Sequence, residues 1–382
     1  MPHHKKKILR IATVAMSLDL LLKGQLAYLD RFFEVRAVSG EDAHLRIVRE
    51  REGVVSIDVA MSRSIHPLKD LKALIRLYRV FRKERPALIH SITPKAGLLS
   101  MVAGKLAGVP VRIHTFTGLI FPYKSGFLQR LLIVMDKILC RCATHIFPEG
   151  EGVRKDLQQY GITKKPLKII ANGNVNGIDL SYYDPALSTN SAAELPDTSQ
   201  HFVFTFVGRL VGDKGINELV SAFHLLNREY SNIRLVLVGP YEHELDPLQP
   251  DTLETIRNNP HIITPGFVRD IRPYLKRSQC FVFPSYREGF PNVVLQAGAM
   301  NLPCIVTDIP GSNEIITEGF NGLICPKKDT TRLYEKMKVM LTDDSLRESL
   351  TLNARSHIQQ LYRQEYVWEC LKNEYESLLN NV

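Results

Sequence analysis

The sequence predicts an α/β protein of two Rossmann-like, doubly wound parallel sheets, and three observations lead there. Apolar runs of strand length alternate with helical patterns throughout, 382 residues exceed what one core usually covers, and a polar stretch at 188–193 interrupts the series near its middle. In the first half the strand-length runs lie at 8–14, 33–38, 54–59, 87–89, 111–114, 144–147 and 167–170. In the second they lie at 202–207, 233–238, 261–263, 280–283, 304–307 and 323–325. Such continuous apolar runs mark strands covered on both faces, as parallel sheets between helix layers are. The expected organisation is a domain at 1–187, a second at 188–362, and a terminal helix at 363–382 striped with Tyr366, Trp368, Leu371, Tyr375 and Leu378. No solenoid-length repeat or low-complexity tract competes with this reading.

Charge divides the chain the same way. The net charge is +9, but residues 1–185 carry +14 and the remainder −5, so the two halves meet different partners. A basic half suits nucleic acid, an anionic membrane or a phosphate-bearing substrate, and charge alone does not choose among them. Cys140, Cys142, Cys280, Cys304, Cys325 and Cys370 lack zinc-ligand spacing and mostly lie in apolar surroundings, as reduced core thiols do. No apolar secretory segment precedes the first strand, and every long apolar stretch is interrupted by charge within the length of a membrane span. The expectation is a cytoplasmic protein without a transmembrane helix. Two segments keep contact with the inner face of a membrane open. Residues 68–83 repeat leucines at helical spacing among basic residues, and 118–127 are apolar yet loop-like. Each reads equally as a solvated amphipathic helix and a packed lid.

Two motifs carry chemistry. The run from Pro284 to Ala297 sets Glu288 in a loop directly before a helix that Pro291 begins as its first residue. The unpaired N–H groups at such a start favour an anion, and Gln296, eight residues after Glu288, lies one turn further on, so both side chains can border one ligand. The other motif is the strand 202–207, ending in Gly208 and Arg209, with Lys214 and Gly215 just beyond. Ligands of open α/β sheets bind past the carboxyl ends of strands, where these two cations would emerge. Arg can grip a diphosphate in bidentate fashion and Lys adds a point charge, together offsetting charge on a leaving nucleoside diphosphate. Alone, either motif is a capped helix or a solvated strand end; together they point to one site.

These residues resemble the signature of retaining nucleotide-sugar glycosyltransferases of family 4, which have the GT-B fold. The resemblance implies two Rossmann-like domains facing a cleft, with the terminal helix crossing back to the first. By the same resemblance Arg209 and Lys214 hold the donor diphosphate, Glu288 faces the donor sugar and serves catalysis with them, and Gln296 holds the ribose. The family pattern has a second Glu where this chain has Gln296, so a charge-assisted bond is lost while donors and an acceptor remain. The donor site would also include Gly208, Gly289, Phe290, Pro291, Asn292 and Val293. Phe267 and Val268 match the stretch that touches the base. No cofactor or metal is implied, the nucleoside-diphosphate sugar being a substrate, and no nucleic-acid partner is expected.

The first half is similar, more narrowly, to family members that build capsule and O-antigen on polyprenyl-diphosphate carriers. The stretches around Gly24 and Gln25, Thr93 and Lys95, and 173–179 carry that likeness. Gly24 sits where backbone can approach a ligand, and Lys95, beyond a strand end, can meet an acceptor phosphate. Many relatives place a histidine just before the glycine here numbered Gly118. Thr117 occupies that position, or His114 after a three-residue slip, and a threonine cannot shuttle protons near neutral pH. Thr117 and the glutamine at 296 together keep open a catalytically weak nucleotide-sugar-binding subunit. A nucleotide-sugar 2-epimerase would share the fold.

Overall fold

The computed structural model describes residues 5–187, 200–242, 244 and 246–381. The chain divides into two compact units, one formed by Met1–Gly177 with Gln364–Val382 and the other by Ile178–Arg363. The polar stretch expected to hold the boundary, 188–193, lies outside the described residues. The division falls earlier because Ile178 is already in the second core: its N–H donates to the Tyr362 carbonyl at 2.8 Å and its side chain is buried there. Behind it Arg355 binds the carbonyls of Leu180 and Tyr183 at 3.0 and 2.5 Å, holding the segment after Ile178 to the second unit.

In the first unit six parallel strands, β1 (Lys7–Ile11), β2 (Glu34–Ser39), β3 (Val55–Asp58), β4 (Leu88–Ser91), β5 (Val111–Phe116) and β6 (His145–Pro148), take the order β3-β2-β1-β4-β5-β6. Alternate side chains enter two cores. Leu9 and Ile11 pack with Leu77, Phe81 and Leu139 on one face, while Ile8 and Ala12 pack with Leu26, Leu45, Leu371 and Tyr375 on the other. The run at 167–170 forms no strand; only an isolated bridge joins Leu167 to Ile146 at the sheet edge. The terminal helix, Gln364–Asn380, belongs to this unit and buries Val367, Leu371, Tyr375 and Leu379.

The second unit repeats the plan with β7 (Phe202–Val207), β8 (Ile233–Val238), β9 (Ile262–Gly266), β10 (Cys280–Phe283), β11 (Cys304–Thr307) and β12 (Gly322–Cys325), ordered β12-β11-β10-β7-β8-β9. Every residue of β7, β10 and β11 is buried, as their uninterrupted apolar runs require. Among the described residues no helix is long and apolar enough to cross a membrane.

Candidate active site

Because β7 and β10 are neighbours at the centre of the second sheet, the segments leaving their carboxyl ends are neighbours too. β7 leads through Gly208 and Arg209 to a short 3-10 turn, Gly212–Lys214; β10 leads into the Glu288 loop. The two meet. Lys214 Nζ donates to Glu288 Oε1 across 74 residues of sequence, and both side chains are mostly buried. Ser285 Oγ donates to the same carboxylate oxygen at 2.7 Å, and the Lys214 ammonium stands 5.5 Å from the Phe283 ring centroid. One carboxylate and one ammonium are therefore held together at the sheet's ligand-binding edge, each with a supporting contact.

A second set of bonds fixes this pair. The Asp213 carbonyl accepts from the Tyr286 N–H at 2.8 Å, and its carboxylate accepts from Arg287 Nε and Nη2 at 3.0 and 2.7 Å. Asp246 in turn accepts from the Asp213 N–H at 2.5 Å. The Tyr286 hydroxyl donates to Glu218 at 2.5 Å, and burial, with that carboxylate, raises it well above the ordinary tyrosine range. Gly215 lets the two loops touch: at φ +71° it is left-handed, and a Cβ there would lie 2.1 Å from the Pro284 carbonyl oxygen.

The other donor-site candidates divide. Arg209 is half exposed and ion-pairs with Glu242, beyond the end of β8. Phe267, at 74 % exposure, projects after β9, while Val268 packs against the core. Pro291 is the N-cap, with ψ 104°, so the helix Asn292–Ala299 begins one residue later than its sequence suggests. Phe290 turns its ring into the core, 5.5 Å from Tyr362, which leaves only its backbone, with that of Gly289, for a ligand; Val293 also leans on the core. Gln296 is half buried, and its amide has no hydrogen-bond partner among the described residues.

In the first unit most of the candidate acceptor residues have partners inside the protein. Gly24, at φ +81°, faces Trp368, whose ring atom would lie 2.7 Å from a Cβ, and its N–H is taken by Glu52 at 2.9 Å. Gln25 is fully buried and donates to the Val175 carbonyl at 2.8 Å. Lys95 is buried against Asp70, with 2.8 and 2.9 Å contacts to its two oxygens, so its charge is already matched. Thr93 shares its hydroxyl with Thr13 at 2.8 Å. His114 is 1 % exposed and bonded to Ser91 Oγ at 2.8 Å. Buried polar groups serve internal hydrogen bonds as readily as ligands. Thr117, which donates to the Ile92 carbonyl at 3.1 Å, and Gly118 remain at the open end of β5.

Burial also makes His114 a stability sensor. Loss of solvation lowers its imidazole from 6.5 to about 3, and His90, bonded to Tyr375 at 2.5 Å and facing Arg10, is lowered in the same direction. Protons therefore bind the unfolded chain first. Stability is intact above pH 6.5 and declines as pH falls toward 3, by about 1.4 kcal/mol per pH unit for each imidazole that stays neutral. Urea midpoints followed by the single tryptophan, Trp368, should drop between pH 7 and pH 5. An unchanged midpoint would refute it.

The comparisons fit this geometry. The capsular polysaccharide biosynthesis glycosyltransferase CapM of Staphylococcus aureus is 31% identical over 378 residues, 98% of each chain. This protein is a group 1 glycosyltransferase. The model of the glycosyl transferases group 1 family matches residues 189–357 of the enzyme, and that of the glycosyl transferase 4-like domain matches 24–173. An Escherichia coli relative named as UDP-Gal:alpha-D-GlcNAc-diphosphoundecaprenol alpha-1,3-galactosyltransferase is 29% identical over 306 residues, 78% of this glycosyltransferase and 77% of that one. Among solved structures, a glycosyltransferase from Rickettsia africae aligns with TM-score 0.80 at 18% identity over the whole of both chains. Anabaena HepE in complex with UDP-glucose gives 0.77 at 18%, over 97% and 100%. The fold of the glycosyltransferase is GT-B.

Sequence reasoning missed Asp213, Tyr286 and Arg287 as parts of the glycosyltransferase's site. Their signal was present: Asp213 precedes Lys214 and Arg287 precedes Glu288, so each motif carries a charge opposite to its partner's beside the key residue. Among the described residues no group of three or more His, Cys, Asp or Glu side chains is disposed to hold a metal ion.

Proposed function

We propose that the enzyme moves a hexose from a nucleoside-diphosphate sugar to a hydroxyl of a polyprenyl-diphosphate-linked glycan, with retention and without a metal, in the assembly of a bacterial surface polysaccharide such as capsule or O-antigen. The observation that carries this is the Lys214–Glu288 pair at the ends of β7 and β10. On donor binding Lys214 exchanges Glu288 for the diphosphate, where with Arg209 it offsets the charge that develops on the leaving group. Glu288 is then free to accept from the donor sugar's hydroxyls, held in place by Ser285. Gln296, without a hydrogen-bond partner among the described residues, receives the ribose hydroxyls. Retention needs no strong protein base, since the departing phosphate oxygen can take the acceptor proton on the same face, and this agrees with the burial of His114. The name of the E. coli relative supports the acceptor class, and that of the S. aureus relative the setting in surface polysaccharide assembly.

Incubating the enzyme with a panel of nucleotide sugars and short polyprenyl-diphosphate glycans, with and without EDTA, tests each part. The expected product keeps the donor's anomeric configuration by NMR and forms at the same rate in chelator. An inverted product refutes retention, loss of rate in EDTA refutes the metal-free route, and donor binding without transfer to any acceptor refutes the enzyme assignment in favour of a binding subunit.

A further inference from the structure

One face of the first sheet carries a charge that the fold leaves unmatched. Arg10 on β1 lies between Ile8 and Arg10's other face-mate Ala12, on the side that the terminal helix covers with Leu371 and Tyr375, and it is 1 % exposed. Its register partner on β4 is His90, and Thr115 stands beyond on β5; both are buried on the same side. A guanidinium keeps its charge throughout the pH range of a folded protein. Among the described residues Arg10 forms no ion pair. Its Nη1 donates to the Tyr375 hydroxyl at 2.8 Å, and its buried Nε has no hydrogen-bond partner.

The polar chain that starts at Arg10 is rich in donors. The Tyr375 hydroxyl and His90 Nδ1 are 2.5 Å apart, and His90 Nε2 and Thr115 Oγ1 are 2.7 Å apart. Burial, and after it the Arg10 charge, lower the imidazole well below its ordinary range, so the ring is neutral and carries one N–H. Arg10, Tyr375, His90 and Thr115 therefore bring four protons to three contacts, and with either His90 tautomer one hydroxyl proton is left over. Arg10, His90 and Thr115 also line a cavity between this face and residues 170–175, with about 20 Å³ of space for a water-sized body. Glu149, the carboxylate on the cavity wall, has contacts of its own and is not ion-paired with Arg10.

We propose that this cavity binds a single halide-sized monovalent anion such as chloride, which accepts from the Arg10 Nε–H and from the surplus hydroxyl and so ties the terminal helix to β1 and β4. A buried charge without an opposite charge is strongly destabilising, and a water in the same place supplies a hydrogen bond but no countercharge. Phosphate is too large for the space, and its double charge exceeds the one cation that it would meet.

Urea unfolding of the unaltered chain, followed by Trp368 in the terminal helix, tests this at fixed pH and ionic strength, with chloride replaced by gluconate, which is too large to enter. The midpoint should rise with the logarithm of chloride concentration, each ten-fold step above the dissociation constant favouring the folded state about ten-fold. Crystals grown in bromide should show an anomalous peak within hydrogen-bonding distance of Arg10 Nε. Arg10→Gln should unfold at a midpoint independent of chloride; if that variant does not fold, the chloride series and the bromide site of the unaltered chain decide. A midpoint indifferent to chloride, as a water bridging Arg10 to Glu149 would give, overturns the proposal. So does bromide found only outside the cavity, or a chloride dependence that persists in Arg10→Gln.

Discussion

Lys214→Ala should lower turnover about a hundred- to a thousand-fold, the usual cost of deleting one cation or donor aimed at developing negative charge. Far-UV circular dichroism should be unchanged, because the side chain stands at a loop end and not in either core. The structure adds a second expectation. Glu288 loses its partner in that variant, so part of the loss comes from a carboxylate no longer held by Lys214. Lys214→Ala and Glu288→Ala should therefore be non-additive, the double variant losing less than the product of the single losses. Full activity in Lys214→Ala would remove the pair from the reaction, and strictly multiplicative losses would show that the two act independently.

The second large effect is expected at a residue with no reactive group. Gly215→Ala places a methyl 2.1 Å from the Pro284 carbonyl oxygen in a left-handed conformation. The backbone term costs about 1–2 kcal/mol and the forced repacking about 1–3, together about 2–5 kcal/mol. In a unit of this size that lowers the melting midpoint by roughly 4–20 °C. Activity should fall with it, because Pro284 is followed by Ser285, whose hydroxyl holds Glu288. A variant that melts like the parent would mean that the two loops are not in contact at this point.

The fold was legible in the sequence to within a few residues. Strands at 202–207, 233–238, 280–283 and 304–307 match β7, β8, β10 and β11 residue for residue, because strands covered on both faces read as near-continuous apolar runs. The run at 167–170 misled because a short apolar segment packs as well beside a sheet as within it; Ile170 contributes to the core without joining the ladder. Lys214 and Glu288, singled out from two separate motifs, are brought into contact by the fold. Lys95, Gln25 and His114 each have a partner inside the protein that the sequence does not reveal, namely Asp70, Val175 and Ser91. Gly24 shows the same limit for backbone: what approaches it is Trp368, 344 positions later.

The chain leaves the first unit after Gly177 and returns at Gln364 to finish it. At that junction Ile178 bridges to Arg363, and the Ile178 N–H is bonded to the Tyr362 carbonyl, so the two ends of the second unit are pinned side by side. In topological terms the second unit is an insert whose entry and exit share one stem. An insert of that kind can be exchanged as a cassette, with both splice points at a single place and every strand of the host sheet left intact. With the donor held as proposed, recombination at that one place would change the sugar donor and leave the first unit as it was inherited.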